Sequence, residues 1–136
     1  MIIRQLSIFL ENRTGRINEV ARILGENGIN MQAFSMAETA DFGVVRRIVP
    51  DVEGAVEVLR SADIAGMVTD VLCVNCPNVP GSLSAILEKL AANNIFIEYM
   101  YAFSEDETAN VVIRPNDIEK CIDVLGSCGC TLLQEI

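Results

Sequence analysis

The chain has 136 residues, 51% of them hydrophobic and 21% charged, which is typical of a globular protein and excludes a disordered one. Its net charge of −9, from 19 acidic and 10 basic residues, repels phosphate backbones and anionic lipid, so we expect no nucleic acid and no membrane as a partner. The chain contains no histidine, which excludes Ser–His and Cys–His catalysis, imidazole acid–base chemistry and histidine-containing zinc sites.

We expect no targeting segment at the start of the sequence. No stretch of the chain approaches 18 uncharged apolar residues, and Arg4 interrupts the apolar start. We therefore expect neither a transmembrane span nor a signal peptide, and a cytoplasmic location.

Two halves of the chain repeat one pattern. Shifted by 66 residues, the sequence matches itself without a gap from Leu6/Leu72 to Ser61/Ser127. Identical residues recur at Asn12/Asn78, Gly15/Gly81, Leu24/Leu90, Asn27/Asn93, Ile29/Ile95 and Asp51/Asp117. No linker rich in Pro, Gly or Ser separates the copies, so the sequence predicts two modules, 1–69 and 70–136, joined as one rigid body.

Each copy begins with a strand and a helix. In Leu6–Leu10, apolar and polar residues alternate, which predicts a strand with one buried face. After a turn, the apolar residues of Ile17–Leu24 recur at the spacing of a helix. Gly28 in copy one and Asn94 in copy two suit the left-handed position that ends such a helix.

Two strands, a helix and a final strand complete each copy. Ile29–Ala37 and Phe42–Val49 are predicted strands joined by a polar turn, and Asp51 is the predicted N-cap of the next helix. Copy one ends in a strand at Met67–Thr69, and copy two ends in a strand at Thr131–Ile136. The order β-α-β-β-α-β is the ferredoxin-like unit of the α+β class.

A module of this size buries little surface alone, and its open sheet leaves edge strands exposed. Pairing the two copies would reduce both problems. We expect Ile29–Ala37 and Ile95–Phe103 to pair, giving a joint eight-stranded antiparallel sheet with the helices on one face.

Three short segments carry a family resemblance. The loops Glu11–Arg16 and Pro77–Ser82 each lead from a first strand into a helix, and Gly28–Asn30 opens the next strand. Together they resemble the ACT domain, present here as a tandem pair over essentially the whole chain. The resemblance implies that an amino acid binds as an allosteric effector at the interface between the two modules, with no catalytic activity and no cofactor.

Physical chemistry favours the same loops as a binding site. A helix N-terminus offers unpaired N–H groups and partial positive charge to a carboxylate, and the loop glycines allow a ligand close to the backbone. The asparagine amides can bind both charged groups of an amino acid. The candidate ligand-binding residues of the first module are Asn12, Arg13, Thr14, Gly15, Arg16 and Ile17. Those of the second loop are Asn78, Val79, Pro80, Gly81, Ser82 and Leu83.

Further candidates lie on the predicted second strand of each copy. Asn30 matches an asparagine that contributes to ACT-type sites, and Met31 follows it, whereas copy two has Phe96 in place of Asn30. Glu98 and Tyr101 could contact the ammonium or side chain of the ligand. Since Val79 and Ser82 replace Arg13 and Arg16, we expect the two sites to bind unequally.

The cysteines offer a competing hypothesis. Cys73 and Cys76 have C-x-x-C spacing, and Cys128 and Cys130 form a second close pair that could complete a four-thiolate zinc site. However, residues three apart on a strand face opposite sides of the sheet, so we expect reduced cysteines and no metal.

The sequence is therefore compatible with two alternative functions. The first is a non-catalytic amino-acid sensor that regulates a separate enzyme or transporter in trans. The alternative is a structural or assembly module that pairs with a partner enzyme without binding a ligand. Free edge strands are also compatible with a homodimer. No Walker or GxGxxG motif and no nucleophile–base pair supports an enzyme.

Overall fold

The computed structural model describes residues 2–11, 13–31, 33–38 and 42–136. The chain divides into two compact units, an N-terminal unit of Arg4–Thr69 and a C-terminal unit of Asp70–Ile136 with the first residues of the chain. In the described part of the chain, none of the helices combines the length and the apolar composition needed to cross a membrane.

The N-terminal unit is a helix-covered antiparallel sheet. Its elements are β1 (Ile3–Glu11), α1 (Arg16–Glu26), β2 (Ala33–Glu38), β3 (Phe42–Ile48), α2 (Val52–Ser61) and the first part of β4 (Ala65–Pro77). β3 pairs with β1 on one side and with β2 on the other. At the start of β3 the register places Gly43 opposite Leu10 of β1, and near its end it places Arg47 opposite Phe34 of β2.

One core holds the N-terminal unit together. Helices α1 and α2 contact each other and bury their apolar residues against β1 and β3. Leu6, Ile8, Leu24, Val45 and Leu59 lie at its centre, each fully buried. Both helices of this unit therefore cover the same face of its sheet.

The C-terminal unit repeats the arrangement. Its elements are the second part of β4, α3 (Ser82–Ala92), β5 (Ile97–Glu105), β6 (Thr108–Pro115), α4 (Ile118–Ser127) and β7 (Thr131–Leu132). β6 pairs with β4 and β5, and β7 pairs with β4. Leu72, Val74, Leu90, Ile113 and Leu125 form the centre of the core beneath α3 and α4.

The described residues form seven strands, not the predicted eight. The last predicted strand of copy one, Met67–Thr69, and the first strand that the repeat predicts for copy two form one strand, β4. No turn-forming glycine or proline separates Thr69 from Val71, and both residues are β-branched. The predicted strand Thr131–Ile136 shortens to the two residues of β7.

The predicted pairing of Ile29–Ala37 with Ile95–Phe103 is wrong for the described residues. In the strand order, β2 has only β3 as a neighbour, and β5 has only β6. β2 pairs with β3 and β5 pairs with β6, so each of these strands pairs with the strand that follows it in the chain. A hairpin connection favours such a pairing over one with a distant segment.

The polar face of β1 is also more buried than the alternation predicts. Gln5 is 0% exposed and Ser7 is 5% exposed. Gln5 Nε2 donates to Ser7 Oγ at 3.3 Å, and Ser7 Oγ lies 3.2 Å from Thr69 Oγ1 on β4. Alternation identified the apolar face correctly, but it does not distinguish a solvated polar face from a hydrogen-bonded one.

Local signals at the helix ends are confirmed. The Asp51 side chain accepts a hydrogen bond from the Gly54 N–H at 3.0 Å, and its counterpart Asp117 accepts from Lys120 N–H at 3.1 Å. Gly28 adopts a φ of 71°, and Asn94, which replaces it in the second copy, adopts 57°.

Candidate functional site

The β1–α1 loop of the N-terminal unit makes a sharp left-handed turn into the helix. Gly15 is the N-cap residue of α1, with φ 87° and ψ −8°. Before it, the Arg13 N–H donates to the Glu11 carbonyl at 2.9 Å, and after it the Glu19 N–H donates to the Gly15 carbonyl at 3.0 Å. A Cβ on Gly15 would meet nothing within 4 Å, so the glycine serves the backbone conformation and leaves open space above the loop.

This open space is part of a cleft of about 260 Å³. The cleft lies where the end of β1, the start of α1, β2 and β3 come together. It is lined by Leu10, Glu11, Arg13, Thr14, Gly15, Arg16, Ile17, Met36 and Gly43. The volume is of the size that a small metabolite occupies, and the lining contains both acidic and basic side chains.

Among the described residues, no side chain caps the start of α1, where glycine is the N-cap residue. Helix α3 also begins at a glycine without a side-chain cap, whereas α2 and α4 are each capped by an aspartate. The Arg16 N–H donates to the Arg13 carbonyl at 3.4 Å, whereas the next two N–H groups, those of Ile17 and Asn18, have no acceptor in the described ranges. These two groups are open to water or a ligand at the positive end of the helix dipole.

The two arginines of the loop differ in their surroundings. Arg13 is exposed and forms a 3.5 Å ion pair with Glu11. The Arg16 side chain is only 14% exposed, and its Nη1 donates to Glu19 Oε2 at 2.7 Å. The buried Nε of Arg16 has no hydrogen-bond partner among the described residues. A carboxylate in the cleft would supply an acceptor for a donor that otherwise has none.

The equivalent loop of the C-terminal unit keeps the backbone but lacks the charge. Gly81 adopts φ 90° and ψ −15° as the N-cap residue of α3. The Asn78 N–H donates to the Glu107 carbonyl at 2.9 Å. Val79, which is exposed, and Ser82 stand where the first loop has arginines. This loop therefore offers no cation to a carboxylate.

Comparison with known proteins identifies the family. A family model of the ACT domain pair matches residues 1–131. The chain belongs to this family. As predicted, it is a tandem pair of ACT domains. A comparison with curated proteins gives no match.

Solved structures extend the comparison. The ACT pair is 48% identical to protein BT0572 from Bacteroides thetaiotaomicron, with a TM-score of 0.94 over 98% of this chain and 92% of that one. The regulatory subunit of aspartate kinase from Thermus thermophilus, in a ligand-free form, is 17% identical, with a TM-score of 0.66 over 91% of each chain. The regulatory subunit from Thermus flavus is 15% identical, with a TM-score of 0.67 over 92% of this chain and 91% of that one. The two Thermus proteins share the fold.

Of the other predicted site residues, those that the structure describes are not part of the cleft lining. Asn12 lies outside the described residues. Asn30 is exposed and Met31 packs against the N-terminal core, and neither lines the cleft. Glu98 and Tyr101 lie on β5 of the C-terminal unit, where Glu98 Oε2 is 3.5 Å from Arg114 Nε. A ligand role for these residues, and for Pro80 and Leu83, stays a prediction.

Four residues of the cleft are missing from the predicted set. Leu10, Glu11, Met36 and Gly43 line it together with the loop. Glu11 could have been included from the sequence, because it is the first residue of the loop Glu11–Arg16. Gly43 and Met36 line the cleft because the strand register places Gly43 opposite Leu10 and Met36 opposite Val45. No local sequence pattern predicts that register.

The cysteines of the ACT pair do not gather into one cluster. Cys76, Cys128 and Cys130 line a second cavity of about 410 Å³ in the C-terminal unit. Cys73 is fully buried but is not part of the core cluster that contains Cys76, as expected for opposite faces of a strand. Burial raises the pKa of Cys73 to about 11, and burial together with the nearby Asp117 charge does the same for Cys121. Among the described residues, no group of three or more His, Cys, Asp or Glu is placed to hold a metal ion.

Proposed function

We propose that this ACT domain pair is a non-catalytic regulator that binds a free amino acid in the loop cleft of its N-terminal unit. One observation carries the proposal. The cleft brings together an uncapped helix N-terminus and Arg16, whose buried Nε has no acceptor among the described residues. Both features favour a carboxylate.

The lining suits the two charges of an amino acid. Its carboxylate would accept from the first-turn N–H groups of α1 and from Arg16. Its ammonium would lie beside the Glu11 carboxylate, which also lines the cleft. Leu10, Ile17 and Met36 supply apolar walls for the side chain of the ligand.

The second loop supports an unequal pair of sites. Gly81 reproduces the turn, but Val79 and Ser82 supply no guanidinium group. We therefore assign the stronger site to the N-terminal unit, with the second loop weaker or empty at the same ligand concentration.

Regulation in trans, of a separate enzyme or transporter, is part of the proposal. It is supported by the match of residues 1–131 to the ACT domain pair and by the shared fold of the regulatory subunits of aspartate kinase from two Thermus species. The ligand would favour the conformation with the better cleft, and a separate enzyme or transporter would recognise that conformation. By linkage, the partner would in turn change the affinity for the ligand by the same factor.

A thermal-shift screen of the twenty amino acids, each near 1 mM, with calorimetry on each hit, tests the proposal. A ligand at a hundred times its Kd adds about 2.7 kcal/mol to the free energy of unfolding, so Tm should rise by several degrees. Arg16→Gln should weaken binding at least tenfold. Arg22→Gln is the matched control, because Arg22 lies on the same helix, pairs with Glu26 and is not part of the cleft.

Each negative result has a definite meaning. If no amino acid raises Tm, the sensor proposal is wrong, and a pull-down from cell extract then tests the assembly module. If a hit binds equally well to the Arg16 and Arg22 variants, the ligand lies elsewhere on the chain.

A further inference from the structure

Arg47 is an arginine in the core layer of the N-terminal unit. It lies on β3 two residues from the core residue Val45, so both side chains point to the face that the helices cover. The strand register places it between Leu6 of β1 and Phe34 of β2. Only 2% of the residue is exposed, and it is the largest fully buried side chain of the described residues.

Two of the three guanidinium nitrogens of Arg47 lack an acceptor in the part of the chain that the structure describes. Its Nε and Nη1 are buried and have no hydrogen-bond partner among the described residues. The centre of the Phe34 ring lies 5.2 Å from Arg47 Cζ, which allows a cation–π attraction. An aromatic ring has no oxygen to accept a hydrogen bond from the guanidinium group. Burial lowers the pKa of Arg47, as expected for a charge removed from water. A buried cation of this kind is unfavourable unless an anion accompanies it.

The second copy shows that the fold does not need a charge here. At the position equivalent to Arg47, the C-terminal unit has Ile113, which is fully buried in the core. At the position equivalent to Phe34 it has Met100, which faces Ile113 across β5 and β6 and packs against the same core. The same backbone position is thus filled by apolar contacts alone in one copy and by an unpaired cation in the other.

The residue beside Arg47 is the most exposed large hydrophobic side chain of the N-terminal unit. Phe34 is 62% exposed, on β2, whose only neighbour in the strand order is β3. The ring that lies against the guanidinium group is thus itself in contact with solvent. Arg47 is four residues along β3 from Gly43, or about 13 Å in an extended strand, so it is separate from the loop cleft.

We propose that Arg47 is the anchor of an oxyanion-binding site beside Phe34, which takes a carboxylate or phosphate group of a small molecule. The anion enters where the Phe34 ring meets solvent and accepts hydrogen bonds from the guanidinium donors. This site is independent of the amino-acid cleft and adds a second ligand class to the chain.

NMR titration of the intact protein tests the proposal. The buried Nε–H of Arg47 should give its own ¹H–¹⁵N signal, identified by its loss in Arg47→Ile, the residue that the second copy uses. Sodium acetate, a carboxylate that is not an amino acid, and sodium phosphate are titrated separately, with sodium chloride at equal ionic strength as the reference. We expect one of the two anions to shift this signal saturably and to raise Tm. The anion that does so identifies the source as carboxylate or phosphate.

Matched variants localise the effect. Arg46→Gln removes the same charge from the adjacent position on the opposite face of β3 and should leave the anion response intact, whereas Arg47→Ile should abolish the rise in Tm. The proposal is overturned if neither anion shifts the Nε–H signal beyond chloride, or if Arg47→Ile responds like the natural chain. If Arg47→Ile does not fold, Arg47→Lys, which also lacks the guanidinium Nε–H, assigns the signal, and the titration of the natural chain still decides the matter.

Discussion

Gly15 and Gly81 stand 66 residues apart and adopt nearly the same left-handed conformation, with φ of 87° and 90°. Each is the N-cap residue of the first helix in its unit, and a Cβ on either would meet nothing within 4 Å. The backbone of the loop is therefore duplicated, although the arginines around Gly15 have no counterparts around Gly81.

This duplication provides a matched pair of mutations. Gly15→Val and Gly81→Val both place a β-branched residue at positive φ, so each should lower the free energy of unfolding by about 1–3 kcal/mol. Only Gly15→Val should also abolish binding of the amino acid, measured by calorimetry below the Tm of each variant. Equal loss of binding in both variants would show that the ligand depends on both loops.

The aspartate caps allow a second paired comparison. Asp51→Ala and Asp117→Ala each remove the acceptor of a first-turn N–H group and should cost about 1 kcal/mol, measured by urea unfolding. Arg60→Gln, which breaks an exposed ion pair with Glu57 on α2, should cost less than about 0.5 kcal/mol. A cap variant no less stable than Arg60→Gln would contradict the assigned capping bonds.

Alkaline pH should destabilise the protein through its two most buried thiols. Burial raises the pKa of Cys73 and Cys121 from 9.0 to about 11, so the folded chain retains protons that the unfolded chain loses between these values. The stability that the protonated thiols of Cys73 and Cys121 contribute is fully present below pH 9 and is lost as pH rises towards 11. Each thiol should contribute a slope of up to about −1.4 kcal/mol per pH unit in that window.

The measurement is urea unfolding at several pH values. Cys73→Ala and Cys121→Ala should each flatten the decline above pH 9, whatever their effect on stability at pH 7. Cys128→Ala and Cys130→Ala change partly exposed cysteines and serve as controls. An unchanged slope in both buried variants would show that other groups cause the alkaline loss.

Removing the unpaired charge of Arg47 should stabilise the chain in the absence of anions. Arg47→Met keeps much of the length of the side chain but removes the cation, and we expect the free energy of unfolding to rise by about 1–2 kcal/mol. Urea unfolding in a buffer without carboxylate or phosphate measures the change. A loss of stability under these conditions would mean that the guanidinium group is already satisfied in the folded chain.

Local patterns predicted what is locally determined. The apolar stripes of α1 and α3, the caps at Asp51 and Asp117 and the positive φ at Gly28 and Asn94 each depend on residues within a few positions. The 66-residue repeat is visible in the sequence itself and predicts that both units share these features. The loop residues 13–17 were likewise predicted to lie together, because the chain itself holds them together.

Non-local pairing was the part that the sequence could not settle. The pairing of β2 with β5 was predicted because exposed edge strands are unfavourable. Many strand arrangements cover an edge strand, so this reason did not identify the observed strand order. The same holds for Met36 and Gly43 in the cleft and for the buried Gln5, whose surroundings depend on strands distant in sequence. The burial of Arg47 was not predicted, because an arginine in a strand is ordinarily exposed.

The contrast between capped and uncapped helices predicts where backbone amides exchange with deuterium. An amide held by a side-chain acceptor exchanges slowly, as we expect at Gly54 beneath Asp51. The first-turn amides of α1 lack such an acceptor, so in the free protein they should exchange within the fastest class of helical amides. An occupied cleft would slow these amides and leave those of α2 unchanged. The start of α1 is thus a built-in reporter of occupancy, readable by mass spectrometry without any label on the ligand.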